Sequence, residues 1–133
     1  ASPGIEGSNL WDAMRGRPRG DEPDDVYMLN LVGALNNAED GLEWRAVRNC
    51  THTYIHWLNG NEELYDNRRD PWQVYNDIRN PENEALLEAM RERLKVLMDQ
   101  HHDAFAPGSS YAQCFSGRTV EHYPKELDLP RYR

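Results

Sequence analysis

Apolar and polar positions change period once along this chain, and the change divides it in two. Up to about residue 66 the apolar residues come in short runs cut by turn residues. Val26–Val32 is a mainly apolar run between Asp25 and Gly33 and reads as a buried strand. Leu42–Arg48 alternates loosely, and Thr53–Leu58 is β-branched and aromatic. Joined by residues 49–52, they predict a hairpin. Asn59-Gly60 is a strong turn signal, and Glu62–Asp66 reads as the next strand. Short connections pair consecutive strands antiparallel, so a meander of about four strands is expected.

From residue 80 the period becomes helical. Asn80 suits an N-cap, Pro81 the first helical position, and Glu82 the acidic first turn. Leu87, Met90, Leu94, Leu97 and His101 follow at three- and four-residue spacing, and Leu86 and Met98 widen the stripe. Glu84, Glu88, Arg91, Glu92 and Lys95 make the polar face. The helix is expected to run to about Phe105 and to stop at Pro107-Gly108. Its single apolar stripe needs a cover, which the sheet supplies. The expected fold is α+β: an antiparallel sheet of about four strands packed by one long helix, with extended N- and C-terminal segments. In those segments residues 1–25 are loop-like, with a short helical candidate at Asn9–Arg15. Residues 106–133 lack a period, are broken at Pro107, Pro124 and Pro130, and read as a tail wrapping the body. Trp72, Val74 and Tyr75 are expected to pin the strand-to-helix connection to the core.

Composition narrows the function classes. The chain has 133 residues, enough for one domain with a modest core, and four Trp and seven Tyr to fill it. A net charge of −8 excludes the basic footprint of a nucleic-acid binder and argues against anionic membrane surfaces. No apolar run is long enough to span a bilayer. The opening Ala1-Ser2-Pro3-Gly4 carries no signal-peptide pattern and reads as the interior of a longer protein. Cys50 and Cys114 could pair or stand as isolated thiols, and neither belongs to a zinc-type cluster.

Several short patterns invite chemistry and have plainer readings. Asp66-Asn67 offers two hard oxygen ligands, but neighbours in a strand point to opposite faces, and the pair suits a turn equally. Asp24-Asp25 reads the same way. His101-His102 suits a helix C-terminus, where the dipole favours histidine. Asn49-Cys50-Thr51 fits a glycosylation pattern that arises often by chance. Arg45 and Arg48, with Arg68 and Arg69, could make the local basic patch an anionic substrate needs in an acidic chain; equally, they could pair with neighbouring acids. The candidate substrate-binding residues are Arg45, Arg48, His52 and His56, because the hairpin carrying them is best able to reach a neighbouring pocket. No catalytic or metal-ligating set emerges.

Taken in order, Arg45-Ala46-Val47-Arg48, Tyr54-Ile55, Glu63-Leu64-Tyr65-Asp66, Asp70-Pro71, Asn76 and the helix from Pro81 resemble the C-terminal subdomain of a sulfatase, of the alkaline-phosphatase-like superfamily and the N-sulfoglucosamine sulfohydrolase type. Ile5–Leu10 with Arg15-Gly16 resembles the stretch that precedes it. The resemblance implies a parent enzyme that hydrolyses sulfate esters or sulfamates, using a formylglycine nucleophile and a calcium ion. It implies residues 1–25 as the linker or end of the preceding catalytic domain, 26–105 as the subdomain and 106–133 as the tail. The Cys/Ser-x-Pro-x-Arg nucleophile motif is missing: Cys114–Arg118 has Ser116 where Pro belongs and lies beyond the long helix. This chain is therefore expected to hold no cofactor of its own and to be inactive alone. Its implied partners are the catalytic domain and, in the intact enzyme, a sulfated sugar or small molecule. An exported location is implied by the resemblance alone. A related phosphonate or phosphodiester hydrolase, or a stand-alone interaction module, are the alternatives.

Overall fold

In the computed structural model, residues 11–17, 20, 23–31 and 41–111 are described. Four strands, β1 (Asp25–Asn30), β2 (Trp44–Asn49), β3 (His52–Trp57) and β4 (Glu62–Asp66), form one antiparallel sheet in the order β1-β2-β3-β4. The expected meander is the observed one. A short helix, α1 (Trp11–Met14), falls within the expected Asn9–Arg15 candidate. The long helix α2 (Glu84–Gln100) follows a 3-10 turn at Pro81–Asn83, and the Asn80 side chain caps that turn by accepting from the Glu82 N–H. The whole is the expected α+β arrangement.

Register decides which side chains meet. Tyr27 lies opposite Val47, Val47 opposite Tyr54, and Tyr54 opposite Leu64. Alternation then puts Asp25, Tyr27, Leu29, Arg45, Val47, Asn49, His52, Tyr54, His56, Glu62 and Leu64 on one face. The α2 stripe of Leu87, Met90, Leu94 and Leu97 covers the centre of that face, closing a core with Val47, Tyr54 and Leu64. The polar face of α2 is not wholly wet. Arg91 folds down over the edge strand, where its guanidinium donates to both Glu62 carboxylate oxygens, at 2.8 and 2.5 Å.

The turns explain several of the suggestive patterns. Between β2 and β3 only Cys50 and Thr51 intervene, and the Asn49 Oδ1 accepts from the Thr51 N–H, the Thr51 hydroxyl and the His52 N–H. Asn49 is thus the organiser of an Asx turn. After β4, the Asp66 carboxylate accepts the N–H groups of Arg68 and Arg69, and Asn67 bridges Thr53 to the Asn49 carbonyl. These contacts are turn chemistry, as the plainer reading of Asp66-Asn67 has it. Between β3 and β4 the loop spans residues 58–61, with Gly60 in the left-handed region at φ 89° and the Trp57 N–H donating to the Asn61 carbonyl.

Three expectations need correction. First, α2 ends at Gln100 rather than near Phe105. His102 adopts φ 53°, the Asp103 N–H reaches back to the Met98 carbonyl and the His102 N–H to that of Asp99. This is a Schellman termination with histidine in the place glycine usually takes. It stops the helix where Asp103 turns in toward the sheet. Second, Trp72, Val74 and Tyr75 do not pin the connection to the core; all three are exposed. The intervening Gln73 is turned inward instead, at φ 55°, with its side-chain amide donating to the Thr53 hydroxyl. Third, the start of the expected extended tail is not extended. Residues Gly108–Tyr111 form a 3-10 turn, and the Gly108 N–H donates to the buried Glu43 carboxylate at 2.6 Å. Val32 and Gly33, the turn at 36–40, the Ile5–Leu10 stretch, Cys114 and the rest of the tail lie outside the described residues.

Candidate functional site

The helix-covered face turns polar at the C-terminal end of α2. There Arg45, one of the largest fully buried side chains, meets Asp103. Its Nε and Nη2 donate to the two carboxylate oxygens, the Nη2 contact at 3.0 Å, and Nη1 donates to the Asn30 and Trp44 carbonyls. The Asp103 carboxylate also accepts from the Tyr27 hydroxyl at 2.5 Å and the Phe105 N–H at 2.7 Å. Burial pushes the Asp103 carboxyl upward, but the hydrogen bonds from Arg45, Tyr27 and Phe105 outweigh it and hold it below the usual carboxylate value. Tyr27 moves the other way: burial, and then its bond to the Asp103 anion, raises its pKa well above the ordinary tyrosine range.

Phe105, at φ 49°, is the hinge of the arrangement. The Arg45 guanidinium stacks over its ring at 4.7 Å from the centroid. The His56 ring meets it edge-on at 5.6 Å, and His101 stacks on Tyr27 at 5.0 Å. Two clefts flank this cluster. One, of about 470 Å³, is bounded by Tyr27, Leu29, Leu31, Arg45 and the His101–Asp103 turn. The other, of about 460 Å³, lies between α2 and the β3–β4 edge, lined by Tyr54, His56, Glu62, Arg91, Lys95 and Phe105 among others. In this second cleft Tyr54 donates to Glu62, which also holds Arg91. The Arg91 guanidinium keeps the Glu62 carboxyl below its usual value, while burial and then Glu62 push Tyr54 upward.

The four candidate residues therefore part company. Arg45 and His56 face each other across β2 and β3 and share Phe105. Arg45 is saturated from inside the fold, whereas His56 lines the second cleft. Arg48 points from the opposite face of the sheet, donating to the Thr53 hydroxyl at 2.9 Å. His52 shares the face of His56 but sits at the far end of β3, with Nδ1 at 2.9 Å from the Thr51 hydroxyl. Sequence reasoning missed Asp103, Phe105 and Tyr27. Asp103 and Phe105 had been given to the helix, and no spacing announces a carboxylate that acts through a turn. Among the described residues no group of three or more His, Cys, Asp or Glu stands where it could hold a metal ion, and Asp66 Oδ1 and Asn67 Oδ1 are engaged in the turn.

This sheet-and-helix unit is found in sulfatases. No protein-family model matches the chain. By sequence it is similar to an ulvan-active sulfatase from Formosa agariphila, 26% identical over 113 residues, covering 85% of this chain and 22% of that protein. Its fold matches that of a sulfatase candidate from Bacteroides thetaiotaomicron, with a TM-score of 0.65 at 22% identity over 79% of this chain and 22% of that one. It also matches a 2-O GAG sulfatase, with a TM-score of 0.61 at 23% identity over 74% of this chain and 21% of that one. The chain is homologous to sulfatases over a partial region of their length, consistent with their C-terminal subdomain, and spans about a fifth of each relative.

Proposed function

We propose that this chain is the C-terminal subdomain of a sulfuric ester hydrolase and helps to shape the mouth of that enzyme's substrate pocket. The observation that carries the reading is the sequence similarity to a sulfatase along 85% of the chain. It is supported by the same fold in two further relatives. In this reading residues 26–105 are the subdomain, residues 1–25 the end of the preceding catalytic domain, and 106–133 a tail. The nucleophile and the calcium ligands belong to that catalytic domain. The substrate is a sulfated sugar, in keeping with relatives described as active on ulvan and as a 2-O GAG sulfatase.

Within the subdomain, His56 and Lys95 on the walls of the second cleft suit a sulfated or hydroxylated ligand, because both can donate to its oxygens. Arg45 acts from behind, fixing Phe105 against His56. Arg48 and His52 stand elsewhere on the sheet and serve, in this reading, contacts with the catalytic domain.

The test compares sulfate release from a sulfated polysaccharide and an aryl sulfate, with calcium, by the longer polypeptide that contains this chain and by the chain alone. Release by the longer polypeptide and none by the chain is expected. No release by the longer polypeptide from either substrate overturns the assignment. In the active enzyme His56→Ala should raise KM for the polysaccharide and leave kcat nearly unchanged, the signature of lost ground-state binding.

A further inference from the structure

The face of the sheet away from α2 carries a second built feature. Thr53, buried there, uses its hydroxyl to the full: it accepts from Arg48 Nη1 and Gln73 Nε2 and donates to Asn67 Oδ1, at 2.9, 3.1 and 2.8 Å. This hub clamps the loop after β4 across the sheet. The loop is tied at further points. The Gln73 N–H donates to the Asp70 carbonyl, the Tyr75 N–H to the Asp70 carboxylate at 2.8 Å, and the Asn76 side chain accepts from Leu64 and Ile78.

A loop held this firmly could have hidden its apolar residues. Instead the inward turn of Gln73, in a left-handed conformation costly for a non-glycine residue, aims its neighbours outward. Trp72, Val74 and Tyr75 are 86, 66 and 76% exposed. Two aromatics of this size bury roughly 150–250 Å² each when covered. Three exposed large apolar residues within four consecutive positions of one tied loop are the kind of surface that marks an interaction site.

We infer that the Trp72–Tyr75 loop is the surface on which this subdomain seats against the body of the longer sulfatase polypeptide. The inference rests on the sulfatase reading above for its partner. The chain covers only 21–22% of the relatives, so most of such a polypeptide lies outside it and must meet it somewhere. The loop is pre-organised, so docking orders little, and it presents a Trp and a Tyr, residue types that dominate interface energetics. Val74 between them suits a protein surface better than a sugar ring, on which only flat aromatic faces stack.

Hydroxyl-radical footprinting of the longer polypeptide and of the chain alone tests this. In the chain alone Trp72 and Tyr75 should oxidise fast. In the longer polypeptide their oxidation should be lost, falling to the level of buried Tyr54. Equal oxidation in both overturns the inference. So does protection in the chain alone that grows with its concentration, which would make a second copy the occupant, or that appears on adding dextran sulfate, which would make the loop a glycan platform. Sulfate release measured on the same samples separates the two claims. Protection without release keeps the docking surface and sinks the sulfatase reading, and release without protection does the reverse. The triple variant Trp72→Ser, Val74→Ser, Tyr75→Ser should leave the Tm of the chain alone unchanged while lowering that of the longer polypeptide; an unchanged Tm in both is a second way for the inference to fail.

Discussion

Besides Arg91–Glu62 at the β4 edge, two arginine–carboxylate pairs tie the helical half of this molecule to its sheet, and they are chemically alike. Arg93 on α2 holds Asp25 at the start of β1 through Nε and Nη2; Arg45 on β2 holds Asp103 just past α2 through the same two nitrogens. Their surroundings differ. The Arg93 and Asp25 side chains are 42 and 11% exposed, those of Arg45 and Asp103 only 1 and 9%. The two carboxylates are about equally covered, but water reaches the Arg93 guanidinium and is kept from that of Arg45. The second pair is also embedded in further bonds, from Tyr27 and the Phe105 N–H on the carboxylate and to the Asn30 and Trp44 carbonyls on the guanidinium. The difference teaches that the end of the helix, rather than its middle, is where this fold is least forgiving.

The sharpest way to break that comparison is Asp103→Ala. It strands a buried guanidinium and should cost about 3–5 kcal/mol, read as a shift in urea midpoint. Replacing both partners, Arg45→Met with Asp103→Leu, should recover part of that loss, since no buried charge is stranded although the Tyr27 hydroxyl, the Phe105 N–H and the Asn30 and Trp44 carbonyls lose a partner. A double variant as unstable as Asp103→Ala would show that the charges themselves, and not the stranding of one of them, hold this end together.

Next in size is Thr53→Val, which keeps the shape but leaves Arg48, Gln73 and Asn67 without their common partner. A loss of about 1–3 kcal/mol is expected, because the site is buried but its partners are nearer to water. If stability is unchanged, the hub is decoration. His102→Gly should go the other way and stabilise by roughly 1 kcal/mol, since glycine pays no penalty in the left-handed position that ends α2. Smallest of all, Arg93→Ala should cost about 0–1 kcal/mol, as half-exposed pairs do, and the loss should shrink further in high salt. A larger effect than that of Asp103→Ala would invert the ranking of the two pairs.

Acid sharpens the same contrast. The folded Asp103 carboxyl titrates below its usual 3.8, so its contribution to stability is complete above that value and is lost as pH falls from there through the lower folded value. Unfolding curves measured down this range should show the wild type losing stability and Asp103→Ala losing less. At the alkaline end Tyr65 is held protonated up to about 12, by burial and then by its bond to Glu63. Its contribution is therefore complete below 10 and lost as pH rises from 10 through about 12, and Tyr65→Phe should flatten that loss.

Much of this was legible in the chain. The α2 stripe and its Asn80-Pro81 start were plain because a helix repeats its signal every turn, and the meander was plain because each strand was short and bounded by a recognisable turn. The end of α2 was not legible. Nothing near His102 is a glycine or proline, and the residue that stops the helix does so by bonding a strand nearly sixty positions away in the chain. The Trp72–Tyr75 loop misled for a related reason. Hydrophobicity alone argues for burial, and the inward choice of Gln73 depends on a threonine hydroxyl from another strand. For the candidate site, the sequence pointed to one hairpin and could not say which of its four residues share a face with a cleft.

By itself the sequence determined the elements, their order, the apolar faces that must meet and the resemblance to sulfatases, because those follow from local period, turn chemistry and short motifs. The tertiary structure alone decided that Arg45 is a buried strut rather than a surface cation, that His56 lines the cleft between α2 and the β3–β4 edge, and that a firmly tied loop turns its aromatics outward. Each of these depends on contacts between residues far apart in the chain, and no local pattern can announce a partner that only folding brings near.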